Sequence, residues 1–190
     1  MTLETRTETS RGKPFMVAKG SLHPEYSFDT FNEERAFREK YWDVKAGDVV
    51  VDVGASYGAY TLPACAAGAF VLAFEPERWV YDDLVTNLRL NGWQGFRRSP
   101  GGWCSAFDLA LWDSDDGSVS MESYAPHWPK HTISGPYRTA SLDVLRAMNP
   151  DLPSFTRCDW VKVDVEGAEE HVLRGAMETL RRCHPRLLVE

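Results

Sequence analysis

The run from Val49 to Tyr60, VVVDVGASYGAY, constrains the fold more than any other stretch of the chain. Three β-branched residues lead into an acid, a glycine and a second glycine four positions on. Such a run predicts a strand, a tight turn and the start of a helix. The pattern then repeats. FVLAFEP (70–76) reads as a second buried strand stopped by Pro76, and residues 78–91 read as the clearest helix, with Tyr81, Leu84, Val85 and Leu88 on one face and Gly92 at its end. CSAFDLAL (104–111) predicts a third strand, DWVKVDVEG (159–167) a fourth, and PRLLVE (185–190) a fifth. Strands alternating with helices predict an α/β, doubly wound Rossmann-like parallel sheet. Such a sheet binds ligands beyond the carboxyl ends of its strands, where the strand order reverses. The glycine turn sits at that place.

The remaining segments set the boundaries. Residues 1–30 read as an N-terminal tail and lead-in, the first dozen or so a loose tail, and 31–190 as one domain. Residues 31–48 predict a helix capped by Asn32, with Phe31, Phe37 and Tyr41 as a partial apolar stripe. A short helix is expected from Gly58 to Ala67, closed by Gly68. Residues 112–138 lose periodicity except for one short strand in GSVSMES, and a loop that long is usually functional or mobile. SLDVLRAM (141–148) and residues 168–183 predict helices. A doubly wound sheet normally continues beyond a fifth strand, so the sequence reads as truncated there. Its open edge is an aggregation hazard, and poor solubility follows unless a partner strand covers it.

Composition narrows the class. The chain has 190 residues, 43% hydrophobic and 12% aromatic, which suits one globular domain with a sizeable core. Its net charge of −7 repels phosphate backbones, so nucleic acid is not an expected partner. The start, MTLETRTETSRGKPF, lacks the apolar stretch of a secretory signal, and no window reaches membrane-spanning length. Cys65, Cys104, Cys158 and Cys183 form no C-x-x-C pair and read as reduced, mostly buried thiols of a cytoplasmic protein.

Two motifs carry chemistry. Gly54 and Gly58 let the backbone turn and leave room for a ligand, and Asp52 can orient a polar ligand or the turn's own N–H groups. Glu75 ends the second strand, 21 residues after Gly54. A carboxylate at this spacing accepts hydrogen bonds from both ribose hydroxyls of an adenosine cofactor; otherwise it is a solvated strand end. A dinucleotide turn needs G-x-G-x-x-G, and here Ser56 stands where the middle glycine belongs. The spacing fits a cofactor without pyrophosphate, such as S-adenosylmethionine, and counts against a nicotinamide-dependent oxidoreductase. In DWVKVDVEGAEEHVL, Lys162, Asp164 and Glu166 fall at alternate positions. Charge on a central strand is costly if unpaired. Lys162 either pairs with a carboxylate across the sheet or belongs to a site, and Asp164 and Glu166, at the strand's carboxyl end, point to a site.

These segments, taken in order, resemble the FkbM-type S-adenosylmethionine-dependent methyltransferase family: VVVDVGASYGAY through residue 92, FDLALWDSDDG, TASLDVL, and VKVDVEGAEEHVLRGAMETL with PRLLVE. DVEGAE followed by VLRGA is the most specific part. The resemblance implies a class I methyltransferase sheet with about two further strands. It implies that Asp52, Gly54, Ala55 and Gly58 surround the methionine part of the cofactor, that Glu75 holds the ribose, and that Asp108 and Ala110 lie near the adenine. It also implies that Asp164 and Glu166 face the sulfonium and the substrate, and that the reaction is O-methylation of a sugar or secondary metabolite.

A hydroxyl nucleophile must lose a proton, and a carboxylate within reach can take it. Asp164 or Glu166 is expected to do so, with His127, His131 and His171 either reserve bases or ordinary surface residues. A metal bound by Asp164 and Glu166 is the rival means of activation, and none is expected. Trp128 either stacks on a sugar ring or packs within its loop. A chain that binds the cofactor without turnover is a further alternative.

Overall fold

The computed structural model describes residues 4–18, 34–95, 102–114, 118–119, 137–149 and 156–190. The stretch expected as a loose tail forms a hairpin instead, β1 (Thr5–Ser10) with β2 (Lys13–Ala18), turning at Arg11-Gly12. Its polar sequence hides this, because the hairpin is stabilised by docking. Phe15, Val17 and Ala18 are buried. The outer edge of β2 pairs with asparagine side chains: Asn91 Oδ1 and Asn87 Oδ1 accept the N–H groups of Met16 and Ala18, each at 2.7 Å.

Helix α1 (Arg35–Tyr41) is shorter than the predicted 31–48. The expected apolar stripe is not its buried face, for Phe37 and Tyr41 are each 47% exposed while Arg38 is buried. Asn32 and Phe31 lie outside the described residues. From here the chain alternates as the sequence predicts: β3 (Val49–Val53), α2 (Thr61–Ala67), β4 (Phe70–Phe74), α3 (Arg78–Leu90) and β5 (Trp103–Phe107). Gly68 closes α2 at φ 99, in the left-handed region that favours glycine.

The third strand departs from the prediction. It ends at Phe107, and Ala110–Leu111 forms β6 in a separate small sheet with β7 (Ser118–Val119) and β8 (Tyr137–Ala140). The β8 strand, only four residues long, gives no periodic signal. Its Tyr137 hydroxyl donates to buried Glu77, which anchors the small sheet just past the end of β4. Helix α4 (Leu142–Met148) begins at Ser141, whose hydroxyl accepts the Val144 N–H.

After β9 (Trp160–Val163) the expected single helix is two, α5 (Glu169–Arg174) and α6 (Met177–Cys183). The break falls at Gly175-Ala176. A Cβ on Gly175 would lie 2.0 Å from the Trp112 carbonyl oxygen, so backbone meets backbone there. Strand β10 (Arg186–Val189) completes a fully parallel sheet ordered β10-β9-β3-β4-β5. The order reverses between β3 and β9, which is the switch point of a doubly wound fold.

Side chains alternate across this sheet. Val50, Val71, Ala73 and Trp160 face α2, α3 and the hairpin, while Val51, Val53, Leu72, Phe74, Val161 and Val163 face α4, α5 and α6. Asp52 and Lys162, two residues on from Val50 and Trp160, therefore share the first face.

Candidate active site at the carboxyl edge of the sheet

Strands β3, β4, β5, β9 and β10 all end on one edge, and the predicted site residues gather there. Lys162 organises the centre. It is 3% exposed, in register with Asp52 on the neighbouring strand. Its ammonium donates to the Gly54 carbonyl at 2.7 Å and lies 3.5 Å from Asp52 and 3.3 Å from Asp164. It also sits 5.3 Å from the centre of the Tyr60 ring. Burial opposes the charge on Lys162, but the Asp52 and Asp164 carboxylates outweigh it, so the ammonium holds its proton more tightly than a free lysine. Of the two readings left open for Lys162, the structure shows pairing across the sheet, extended to Asp164 at the strand end.

Asp52 is wholly buried and accepts the Thr61 hydroxyl at 2.6 Å. It holds Lys162 from beneath the turn. The glycines also serve the protein's own packing. Gly54 has φ 72, and a Cβ there would stand 1.8 Å from the Asp164 carbonyl oxygen. Gly58 has φ 99, and a Cβ there would press on Leu62 and Leu84 at 3.0 Å each. A side chain at Gly54 would therefore meet β9, and one at Gly58 would meet α2 and α3.

The polar groups of the turn are occupied as well. The Gly54 and Ala55 N–H groups both donate to the Phe74 carbonyl, Gly58 N–H donates to Ala55, and Ser56 N–H donates to Glu75 Oε2 at 2.9 Å. Ser56 is held at φ 50, a strained conformation for a residue with a side chain. A pyrophosphate needs free N–H groups and positive potential, and these four amides offer none.

Glu75 is buried at the end of β4, where its carboxylate accepts N–H groups from both Ser56 and Glu77. Burial pushes it up to about 7 despite those two donors. Its own N–H donates to the Phe107 carbonyl, which sets Asp108 at the same edge. Asp108 is ion-paired with Arg78 at 3.0 Å, and Ala110 is half-buried in β6. Asp164 is a quarter exposed, and Glu166, in the turn that follows, is exposed with φ 55.

Three neighbours were not singled out from the sequence. Burial raises Glu34, just before α1, above the ordinary carboxylate range, with Tyr60 and Lys162 acting the other way. Burial and the Glu34 partner raise the Tyr60 phenol in turn. Glu190, beyond β10, follows Val189 as Asp164 follows Val163 on the paired strand, and its N–H donates to the Val163 carbonyl at 3.1 Å. Only strand register could have indicated Glu190, and no local pattern separates Glu34 from other helix-end acids. His171 Nδ1 lies 2.9 Å from Asp113, and its ring stacks on Trp112. His127, Trp128 and His131 lie outside the described residues. Among the described residues no group of three His, Cys, Asp or Glu side chains is placed to hold a metal. No helix there is long and apolar enough to cross a membrane. All four cysteines are free, three of them buried.

The chemistry of this edge suits a ligand with a diol and a positive charge: a buried carboxylate beside the turn, and acidic groups around Lys162. Residues 52–190 match the Methyltransferase FkbM domain. The chain belongs to that family, and S-adenosylmethionine is its cofactor. It is 26% identical to a protein named Methyltransferase 1 from Beauveria bassiana (strain ARSEF 2860), with 76% of this chain and 66% of that protein covered. Among solved structures it is similar to Pyrococcus horikoshii TYW2 in complex with MeSAdo, at 18% identity and TM-score 0.32, covering 64% of this chain and 46% of that one. It is also similar to Methanocaldococcus jannaschii Trm5 in complex with adenosine, at 22% identity and TM-score 0.29, covering 48% and 27%. The chain thus spans just under two thirds of the curated relative and less than half of each solved chain.

Proposed function

We propose that this chain transfers a methyl group from S-adenosylmethionine to a hydroxyl of a sugar or secondary metabolite, with Asp164 as the base and Glu166 beside it. The observation that carries the reading is the position of Asp164. It leaves β9 at the switch point, its backbone packs against Gly54, and its carboxylate is held by Lys162 yet stays open to solvent. When bound, the cofactor supplies a methyl on a positively charged sulfur, an already activated leaving group. What remains for the protein is positioning and removal of a proton.

Each residue has a part consistent with its surroundings. Glu75 would accept the ribose hydroxyls with lone pairs its two N–H donors leave unused. Ala110 and Asp108 would border the adenine, with Arg78 fixing the Asp108 carboxylate. Asp52, Gly54, Ala55 and Gly58 would shape the floor under the methionine part. The acidic rim of Asp164 and Glu166 favours the sulfonium, and the net charge of −7 supports a small-molecule substrate over a nucleic acid. The four free thiols support a reducing, cytoplasmic setting. We place the catalytic domain in residues 31–190, with the N-terminal hairpin docked on it.

Asp164→Asn and Glu166→Gln, assayed for methylated product over a panel of hydroxylated sugars and secondary metabolites, test the reading. Asp164→Asn should lower turnover by about 10²-fold or more. Full activity in both variants would refute it.

A further inference from the structure

The hydrogen bonds around Glu75 do not end at its two donors. Ser56 N–H reaches Oε2 and Glu77 N–H reaches Oε1, each at 2.9 Å. The plane of the carboxylate is thereby set from the glycine turn on one side and from the head of α3 on the other. Each oxygen keeps a lone pair, one for each hydroxyl of a diol. Glu77 is itself gripped. Its side chain accepts the Tyr137 hydroxyl of β8, and its carbonyl accepts the Tyr81 N–H in the first turn of α3. Tyr137 and Glu77 are both buried.

An acid at the head of a helix has a local use, since the first N–H groups of the helix are free to receive it. Glu77 makes no such cap bond, and its carboxylate goes to β8 instead. Pro76, with its fixed φ, leaves little slack between Glu75 and Glu77. The run from β5 to β6 closes a ring around the same residues. Glu75 N–H donates to the Phe107 carbonyl, Arg78 pairs with Asp108, and Ala110 stands opposite Thr139, which shares the buried side of β8 with Tyr137.

Resting on the reading of Glu75 as the acceptor for the ribose hydroxyls, we propose that Tyr137 is a positioning residue for the cofactor: through Glu77 it fixes one of the two N–H groups that orient the Glu75 carboxylate. The bond has a direction, with Tyr137 donating and Glu77 accepting. Without the phenol hydroxyl, a buried carboxylate loses a donor and is drawn toward other donors or water. The Glu77 backbone moves with it. Glu75 Oε1 then loses its alignment while Oε2 stays on Ser56, so one ribose hydroxyl meets a misdirected lone pair. The small sheet in this way bears on cofactor affinity through Glu77.

A double-mutant cycle of Tyr137→Phe with Glu75→Ala, read by calorimetric titration with S-adenosylhomocysteine at pH 8, separates this role from a structural one. Phenylalanine keeps the ring and removes only the donor. Tyr137→Phe alone should weaken binding by about fivefold, on the scale of one hydrogen bond. In the Glu75→Ala background the same change should cost less than about twofold. Glu77→Gln, whose amide oxygen still accepts the Tyr137 hydroxyl, should stay within about twofold of wild type, while Glu77→Leu should lose as much as Tyr137→Phe. That second pair decides the matter if Tyr137→Phe does not fold. An equal loss with and without the Glu75 carboxylate would overturn the proposal, because a purely structural anchor acts whatever stands at position 75. A loss in Glu75→Ala with none in Tyr137→Phe would overturn the positioning role alone. Affinity unchanged by Glu75→Ala would refute the ribose reading, and the proposal with it.

Discussion

Replacing Lys162 with methionine removes the charge that joins β3, β9 and the glycine turn while nearly preserving side-chain volume. Asp52 then lies wholly buried without its cation, still accepting the Thr61 hydroxyl, and the Gly54 carbonyl loses a 2.7 Å donor. Breaking a buried ion pair by removing one partner costs about 3–5 kcal/mol, because a buried charge is left uncompensated. For a chain of this length each kcal/mol shifts the melting temperature by about 2–4 °C, so Lys162→Met should melt roughly 6–20 °C lower. Calorimetry or far-UV circular dichroism at pH 8 reads this directly. The companion variant Lys162→Met with Asp52→Asn removes the stranded charge and should recover at least about half of the loss. A loss below about 1 kcal/mol in the single variant, or no recovery in the double, would show that the cation does not hold the turn as described.

Other perturbations probe other joints of the same architecture. Gly54→Ala combines a left-handed φ with a Cβ 1.8 Å from the Asp164 carbonyl, so unfolding in urea should show a loss of at least about 3 kcal/mol. Glu75 is raised to about 7 in the fold, above its unfolded value, so the stability it lends is full below about pH 4.5 and lost as pH rises through 7. Denaturation of Glu75→Gln against wild type at pH 5 and pH 8 should therefore favour the variant more at pH 8, by up to about 3 kcal/mol; a constant difference would contradict this. Ser141→Ala should cost about 1 kcal/mol in thermal melts through loss of the α4 cap.

The order of elements was readable because local signals agree with the global fold. β3, α2 and β4 are bounded by Gly47, Gly68 and Pro76, and α3 carries a clean apolar face. What the sequence hid depends on distant partners. The hairpin has a polar strand that reads as a tail until Asn87 and Asn91 are brought to its edge. The break between α5 and α6 follows from the Trp112 backbone pressing on Gly175, a contact across 63 positions that periodicity cannot see. The end of β5 at Phe107 depends on β8, too short to announce itself. The site divides in the same way. Glu75, Asp164 and Glu166 were legible because they stand at strand ends after buried runs. Glu34, Tyr60 and Glu190 join them only through α1 docking and parallel register. At the glycines, sequence shows that the backbone turns and a side chain is unwelcome, but not that it would meet Asp164, Leu62 or Leu84.

The most direct measurement is calorimetric titration of the protein with S-adenosylmethionine, S-adenosylhomocysteine and NAD at pH 8, where Glu75 is ionised, repeated with Glu75→Ala. The account predicts that both adenosyl ligands bind, that NAD does not, and that the variant weakens binding by roughly 1–3 kcal/mol through the lost ribose hydrogen bonds. NAD binding, or adenosyl affinity unchanged by Glu75→Ala, would contradict it.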